Sequence, residues 1–305
     1  MSGGQDLKGL EKAVLNAIES HGHALQFVAL RQFNFLSARG LSEWEPLVAE
    51  FPVSCGDHET RVDFVLKHKT RDLYLSCECK RPDPKFTSWV FLRTNVVPGS
   101  TTGAECFQFQ YSKLQDAGDS YAAFAKAFPL GPFGVNLGMV IQRKRTQTQN
   151  QPEGESEFED SQGRGGKDKK DIEQTAFQAF LGSVGLSRAI RQGERGLAAP
   201  KNFAVIPMIV TTANLYISDK DIGDSDLSTG NLNEKTLSLL PVEWVYLQYH
   251  CPAQLNRYRE PIFSKEGSLE SVLIAGHIRT IPIVKAQSIA KFLETQLIIS
   301  RIHPT

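Results

Sequence analysis

The chain carries no net charge: its 34 Lys and Arg are matched by 34 Asp and Glu. That excludes a histone-like protein that coats nucleic acid by bulk charge. An enzyme acting on nucleic acid needs only a local basic patch, so that class stays open. Cysteine is too sparse for a disulfide scaffold. The five residues, Cys55, Cys77, Cys79, Cys106 and Cys251, are an odd number in 305, as expected of a reducing compartment. Long hydrophobic runs are missing. Stretches such as Phe203 to Val210 fall well short of the roughly 20 residues that span a bilayer. The first residues, Met-Ser-Gly-Gly-Gln-Asp, hold no apolar signal core. The expectation is a soluble cytoplasmic protein with no membrane partner. Gly131, Gly134 and Gly138 are not followed by Gly-Lys-Ser/Thr, which excludes a phosphate loop. No internal repeat is present.

What is present suffices for a large core: 41% of the residues are hydrophobic and 22% charged, ordinary values for a globular protein. Residues 6 to 20 read as a helix, with Leu7, Leu10, Val14, Ala17 and Ile18 at helical spacing. Glu11 lies inside that stripe. It either reaches water at the stripe's edge or reaches a site from below, since an unpaired buried carboxylate is costly. Residues 21 to 36 also read as helical. Residues 42 to 54, with Pro46 and Pro52, suggest an irregular edge strand bearing Glu45 and Glu50.

Residues 61 to 67 and 73 to 80 are the centre of the chain. Alternation sends Val62, Phe64 and Leu66 to one side and Arg61, Asp63 and Val65 to the other. In the second run, Leu73, Leu75, Cys77 and Cys79 share a side; Tyr74, Ser76, Glu78 and Lys80 share the opposite one. A four-residue loop at 69 to 72 pairs His68 with Leu73 and sets Asp63 opposite Glu78. Directly opposed side chains have Cβ atoms roughly 5 Å apart, and two carboxylates so placed repel unless a cation lies between them.

Farther along, residues 105 to 128 read as a helix and 137 to 142 as a strand. Residues 146 to 170 hold one large apolar residue, Phe158, and are expected to be disordered. A helix comes next at 172 to 191, with Ile172, Ala176, Phe180 and Val184 four apart, and then a central strand at 203 to 211 that contains Pro207. Residues 218 to 236 read as a polar loop, 237 to 249 as a strand and 285 to 299 as a closing helix.

Phosphodiester hydrolysis needs a divalent cation at the phosphate, a deprotonated water and a positive group near both. Magnesium takes oxygen ligands, usually one or two carboxylates. Asp63 and Glu78 supply two. Lys80 places an ammonium beside them, and the backbone carbonyl of Cys79 is a further candidate ligand. Residues 61 to 93 hold eight basic residues against four acidic ones, the local excess that phosphate contacts need. A solvated hairpin would show the same excess. Cys77 and Cys79 fall on the apolar side, away from Glu78, so a zinc site is not expected.

Val62-Asp63, fourteen residues, then Glu78-Cys79-Lys80 resembles the PD-(D/E)xK, restriction-endonuclease-like nuclease superfamily. Valine stands where the motif has proline. The resemblance implies a helix, a three-strand meander, a second helix and a further strand, within a mixed central β-sheet flanked by helices. It implies metal ligation by Asp63 and Glu78, with Lys80 assisting the attacking water. It also implies an acidic residue on the first helix, which Glu11 matches; Gln174 or Gln178 would match a glutamine on the second. The gap between Lys80 and residue 172 is longer than usual. The expectation is a single α/β domain over 1–305 with a partly helical insertion at 82–145. Functionally it is a Mg²⁺- or Mn²⁺-dependent nuclease of restriction, repair or defence, acting on DNA ahead of RNA, with a homodimer as an open alternative. The competing reading is an inactive nuclease-fold module that binds nucleic acid or serves as a scaffold. Glu11, Glu45 and Glu50 remain alternatives for completing the site.

Overall fold

The computed structural model describes residues 9–15, 23–55, 58–82, 87–93, 109–114, 118–121, 133–143, 158–159, 169–200, 202–233, 237–250 and 278–295. Its helices are α1 (9–15), α2 (His23–Ala38), α3 (Lys169–Gln192) and α4 (Ile289–Thr295). The strands are β1 (Trp44–Cys55), β2 (His58–His68), β3 (Leu73–Lys80), β4 (Ser88–Arg93), β5 (Phe109–Leu114), β6 (Gly118–Tyr121), β7 (Phe133–Arg143), β8 (Phe158–Glu159), β9 (Asn202–Thr211), β10 (Asn214–Asp221), β11 (Leu239–Val242), β12 (Trp244–His250) and β13 (Ile278–Lys285). The chain is therefore mixed α/β. Its mixed sheet runs β1-β2-β3-β9-β13-β12-β7-β4-β10-β11, with helices on both sides.

The first three strands form an antiparallel meander. Strand β9 joins β3 in parallel, from Leu73 beside Ala204 to Lys80 beside Thr211. A parallel neighbour requires a long crossover, and α3 lies within it. Strand β1 is the sheet's edge, where Pro46 and Pro52 cost no ladder bonds. Pro207 is central yet tolerated. On the side of β9 away from β3, pairing with β5 covers Asn202 to Val205 and pairing with β13 begins at Ile209. Pro207 falls in the gap between them, where no donor is required.

Two apolar layers hold the sheet. On one side Phe64, Leu66, Leu75, Cys77, Met208 and Val210 pack with Ala29 and Phe33 of α2 and with Ile289 and Phe292 of α4. On the other side α3 covers Val53, Val62, Val65, Tyr74 and Val205 through Leu186, Ala189 and Ile190. Helix α3 approaches very closely. A Cβ added to Gly185 would stand 2.6 Å from Val53 Cβ, and one added to Gly182 would stand 3.1 Å from Val62 Cγ2. Bare glycine lets the helix lie directly on the first two strands.

Several sequence expectations are corrected. The described parts of 105–128 are β5 and β6, not a helix, because β5 pairs with β9 and β6 with β5. The described residues of the insertion at 82–145 are strand apart from Pro82 and Thr87, and the rest lies outside the described residues. The polar loop expected from 218 begins only after β10 ends at Asp221, and the strand at 237–249 is two strands broken at Glu243. Of 146–170, Phe158–Glu159 pairs with β7 and the first residues of α3 are helical; the rest lies outside the described residues. Of the two helices ahead of the meander, α2 packs on it, whereas the described part of 6–20, residues 9–15, is exposed. Among the described residues no helix is long and apolar enough to cross a membrane.

Candidate functional site

The β2–β3 register runs from Lys67 beside Tyr74 to Phe64 beside Cys77. It is the register of the four-residue loop, and one more rung sets Asp63 opposite Glu78. At that rung the two strands part. Glu78, Cys79 and Lys80 continue beside Ile209, Val210 and Thr211 of β9, while the described pairing to β2 has ended. Side chains replace the lost ladder bonds. The Cys79 backbone N–H donates to Asp63 Oδ2 at 2.6 Å. The Asp63 carbonyl accepts from Gln26 Nε2 of α2, also at 2.6 Å. Gln26 is itself buried, so this amide is built into the core to serve one backbone oxygen.

The β1–β2 register brings a third carboxylate to the same rung. Ala49 pairs with Phe64 and Phe51 with Val62, which sets Glu50 opposite Asp63. Both strands change sides here. Phe64 faces α2, whereas Val62 and its partner Phe51 face α3. Simple alternation, which puts Val62 with Phe64, fails at Asp63. The pairing runs through this rung without a shift, and the register shift of the β1–β2 ladder falls earlier, between Pro46 and Val48. At this rung Glu50 has φ 51°. For glutamate that backbone costs of the order of 1–3 kcal/mol and persists only where its surroundings impose it. Glu50, Asp63 and Glu78 thus stand on three adjacent strands.

The electrostatics reflect that crowding. Burial raises the Asp63 carboxyl above its usual range. The Cys79 N–H bond opposes this, Glu50 adds to it, and His23 and Arg61 oppose it again. Burial, and then the Asp63 charge, push Glu78 up to about 9; Lys80 pulls it down and Glu50 raises it further. Each carboxyl resists ionising beside the others, and a cation placed among them reverses the balance. Burial also holds the Cys77 and Cys79 thiols well up. Both lie in the apolar layer under α2, as the alternation of β3 predicts.

The expected site residues therefore divide. Asp63 and Glu78 come together. Lys80, half-buried, lies two residues along the same strand and acts electrostatically on Glu78. Cys79 contributes its backbone N–H to Asp63, and its thiol lies in the core. Glu11 sits on α1, whose residues are all exposed; the groups acting on Asp63 are Glu50, His23 and Arg61. Glu45 is exposed, opposite Lys67. Gln174 is exposed and Gln178 half-buried on α3. Sequence reasoning left Glu50 as one of three alternatives and missed Gln26. The only signal for Glu50 was its place on the strand next to Asp63.

Among the described residues, no three His, Cys, Asp or Glu side chains lie close enough together to hold a metal as they stand. The donor set itself fits magnesium or manganese, since carboxylate oxygens suit hard cations. One oxygen supports that fit: Glu50 Oε1 is buried and has no hydrogen-bond partner. Arg61 Nη1 stands 3.2 Å from the other oxygen, Oε2, and His23 Nδ1 stands 3.6 Å from Oε1. No protein-family model matches this chain, and neither does any curated protein or solved structure.

Proposed function

We propose that the chain is a divalent-metal-dependent nuclease that hydrolyses phosphodiester bonds, DNA ahead of RNA, at Asp63, Glu78 and Lys80. The observation that carries this reading is the rung where β2 and β3 part, with two half-buried carboxylates that repel each other and a lysine two residues beyond. Element order gives support. A helix, a three-strand antiparallel meander, a helix and a parallel strand occur in that order as α2, β1 to β3, α3 and β9, with strands β4 to β8 between β3 and α3; leaving those strands aside, it is the order implied by the resemblance to the PD-(D/E)xK nucleases.

In this reading Asp63 and Glu78 hold Mg²⁺ or Mn²⁺, which when bound supplies positive charge at the phosphate and acidifies water. The chain's own residues do the rest. The Cys79 N–H fixes the orientation of the Asp63 carboxylate. Burial keeps the site's dielectric low, so charges act strongly there. Lys80 supplies an ammonium to orient the attacking water and offset charge on the phosphate.

The test is incubation of the full chain with plasmid, single-stranded DNA and RNA, with Mg²⁺, with Mn²⁺ and with chelator. Cleavage needs metal and is lost in Asp63→Ala and Lys80→Ala. If both variants cut like wild type, the assignment is wrong. If wild type binds nucleic acid without cutting it in the presence of any metal, the non-catalytic module is the better reading.

A further inference from the structure

Hydrolysis by Asp63, Glu78 and Lys80 does not use Glu50, yet Glu50 is the most unusual residue near them. Its backbone is left-handed inside a strand. One carboxylate oxygen is buried without a hydrogen-bond partner. A buried acceptor without a donor is costly and calls for an explanation, of which an ion is one. The other oxygen is taken by Arg61 at 3.2 Å. His23 stands 3.6 Å from the orphaned oxygen, outside hydrogen-bonding distance. The register sets this carboxylate opposite Asp63, so a cation at Asp63 and Glu78 and the guanidinium of Arg61 both attract it.

We infer that the Arg61–Glu50 ion pair is a lock on the cation site: a divalent cation bound at Asp63 and Glu78 draws Glu50 in as a third oxygen ligand and displaces Arg61. The inference rests on Asp63 and Glu78 being cation ligands. Arg61 can leave readily, because its side chain is 66% exposed and that of Glu50 only 31%; the guanidinium returns to water while the carboxylate stays at the sheet. The partner exchange also gives the orphaned oxygen a ligand role. Cation binding and the ion pair oppose each other by the same factor in both directions. Once released, the guanidinium stands at the rim of the site with its donors available to a phosphate.

The experiment is calorimetric titration of the full chain with Mn²⁺ alone, without nucleic acid. Wild type is compared with Glu50→Gln, Arg61→Gln, the Glu50→Gln/Arg61→Gln double variant and Asp63→Asn. Glu50→Gln should weaken Mn²⁺ binding about tenfold or more. Arg61→Gln should tighten it several-fold, because the competitor is gone. In the double variant the tightening should vanish, leaving the affinity of Glu50→Gln alone, since a lock acts only through the residue it holds. If Arg61→Gln tightens binding equally with and without Glu50, the effect is charge repulsion through space and the lock is refuted. If Arg61→Gln weakens binding, the pair is a structural support and the lock is refuted again. If Glu50→Gln binds like wild type while Asp63→Asn does not bind, Glu50 is no ligand, although the cation site stands. If wild type and Asp63→Asn both fail to bind Mn²⁺, the cation reading falls and the lock with it.

Discussion

The Asp63 carboxylate accepts the backbone N–H of Cys79 at 2.6 Å, across the point where β2 and β3 separate. One side chain thus has two duties. It replaces a ladder bond that the parting strands no longer make, and it presents its remaining oxygen capacity to the gap beside Glu78. The two duties respond differently to substitution.

Asp63→Ala leaves a buried N–H without an acceptor and should cost about 1–3 kcal/mol of stability as well as cleavage. Asp63→Asn retains an acceptor oxygen and should keep most of the stability while losing cleavage. Urea unfolding alongside plasmid nicking separates the two. Equal stability loss in both variants would show that the Cys79 bond depends on the charge.

Glu78 sets the pH response of the cation-free protein. Its carboxyl, ordinarily at 4.5, is pushed up to about 9 by burial and by Asp63. The folded protein therefore keeps this proton after the unfolded chain has released it. Stability is fully present below about pH 4.5 and falls as pH rises toward 9, because the folded state binds more protons across that window. The decline should reach at least about 1.4 kcal/mol, the worth of one pH unit of displacement. Urea midpoints at pH 5, 7 and 9 measure it. Glu78→Gln should flatten the profile, and saturating Mn²⁺ should reverse its slope.

Lys80 acts on charge rather than on packing. Lys80→Ala should lower the cleavage rate by roughly 10²- to 10³-fold, the usual cost of losing one group that stabilises developing charge. Cation affinity should not weaken, since a nearby positive charge is removed. Single-turnover cleavage and Mn²⁺ titration together check this. A loss of Mn²⁺ binding in Lys80→Ala would place the lysine in the structure of the site instead.

Gly185 sets how closely α3 lies on β1. A Cβ there would stand 2.6 Å from Val53 Cβ and 2.8 Å from Val53 Cγ2, so Gly185→Ala must move helix or strand and should destabilise by about 1–3 kcal/mol. Gly182→Ala meets Val62 Cγ2 at 3.1 Å and should cost less. Chemical denaturation of the two variants ranks them, and a smaller effect at Gly185 would contradict the packing.

Gln26 tests whether α2 holds the site from behind. Gln26→Leu fills much of the same volume but strips the donor from the Asp63 carbonyl, at about 1–3 kcal/mol. Protection of the Asp63 to Phe64 segment in hydrogen exchange should fall more than that of β9. Unchanged protection would mean that the carbonyl finds another donor.

The sequence by itself determined the hairpin. Alternation over 73–80 gives β3 residue for residue, with Cys77 and Cys79 buried under α2 and Glu78 on the other side. A four-residue connection gives the register that sets Asp63 against Glu78. Helix α3 and strand β9 were legible for the same reason: runs with a clear period report which side of an element is buried. Only the tertiary structure decided the rest. Residues 109–121 are strands because β5 pairs with β9, about ninety positions away, and no local period records such a partner. The change of sides at Glu50 and Asp63 falls at a left-handed residue in β1, a backbone state that a glutamate in sequence does not announce. Gln26 and Arg61 acquire their roles only when α2 brings the one to the Asp63 carbonyl and the β1–β2 ladder brings the other to Glu50. The sequence names the residues proposed for the chemistry, because their spacing on one hairpin is local. Which groups restrain them is fixed by contacts distant along the chain, and those exist only once the sheet has formed.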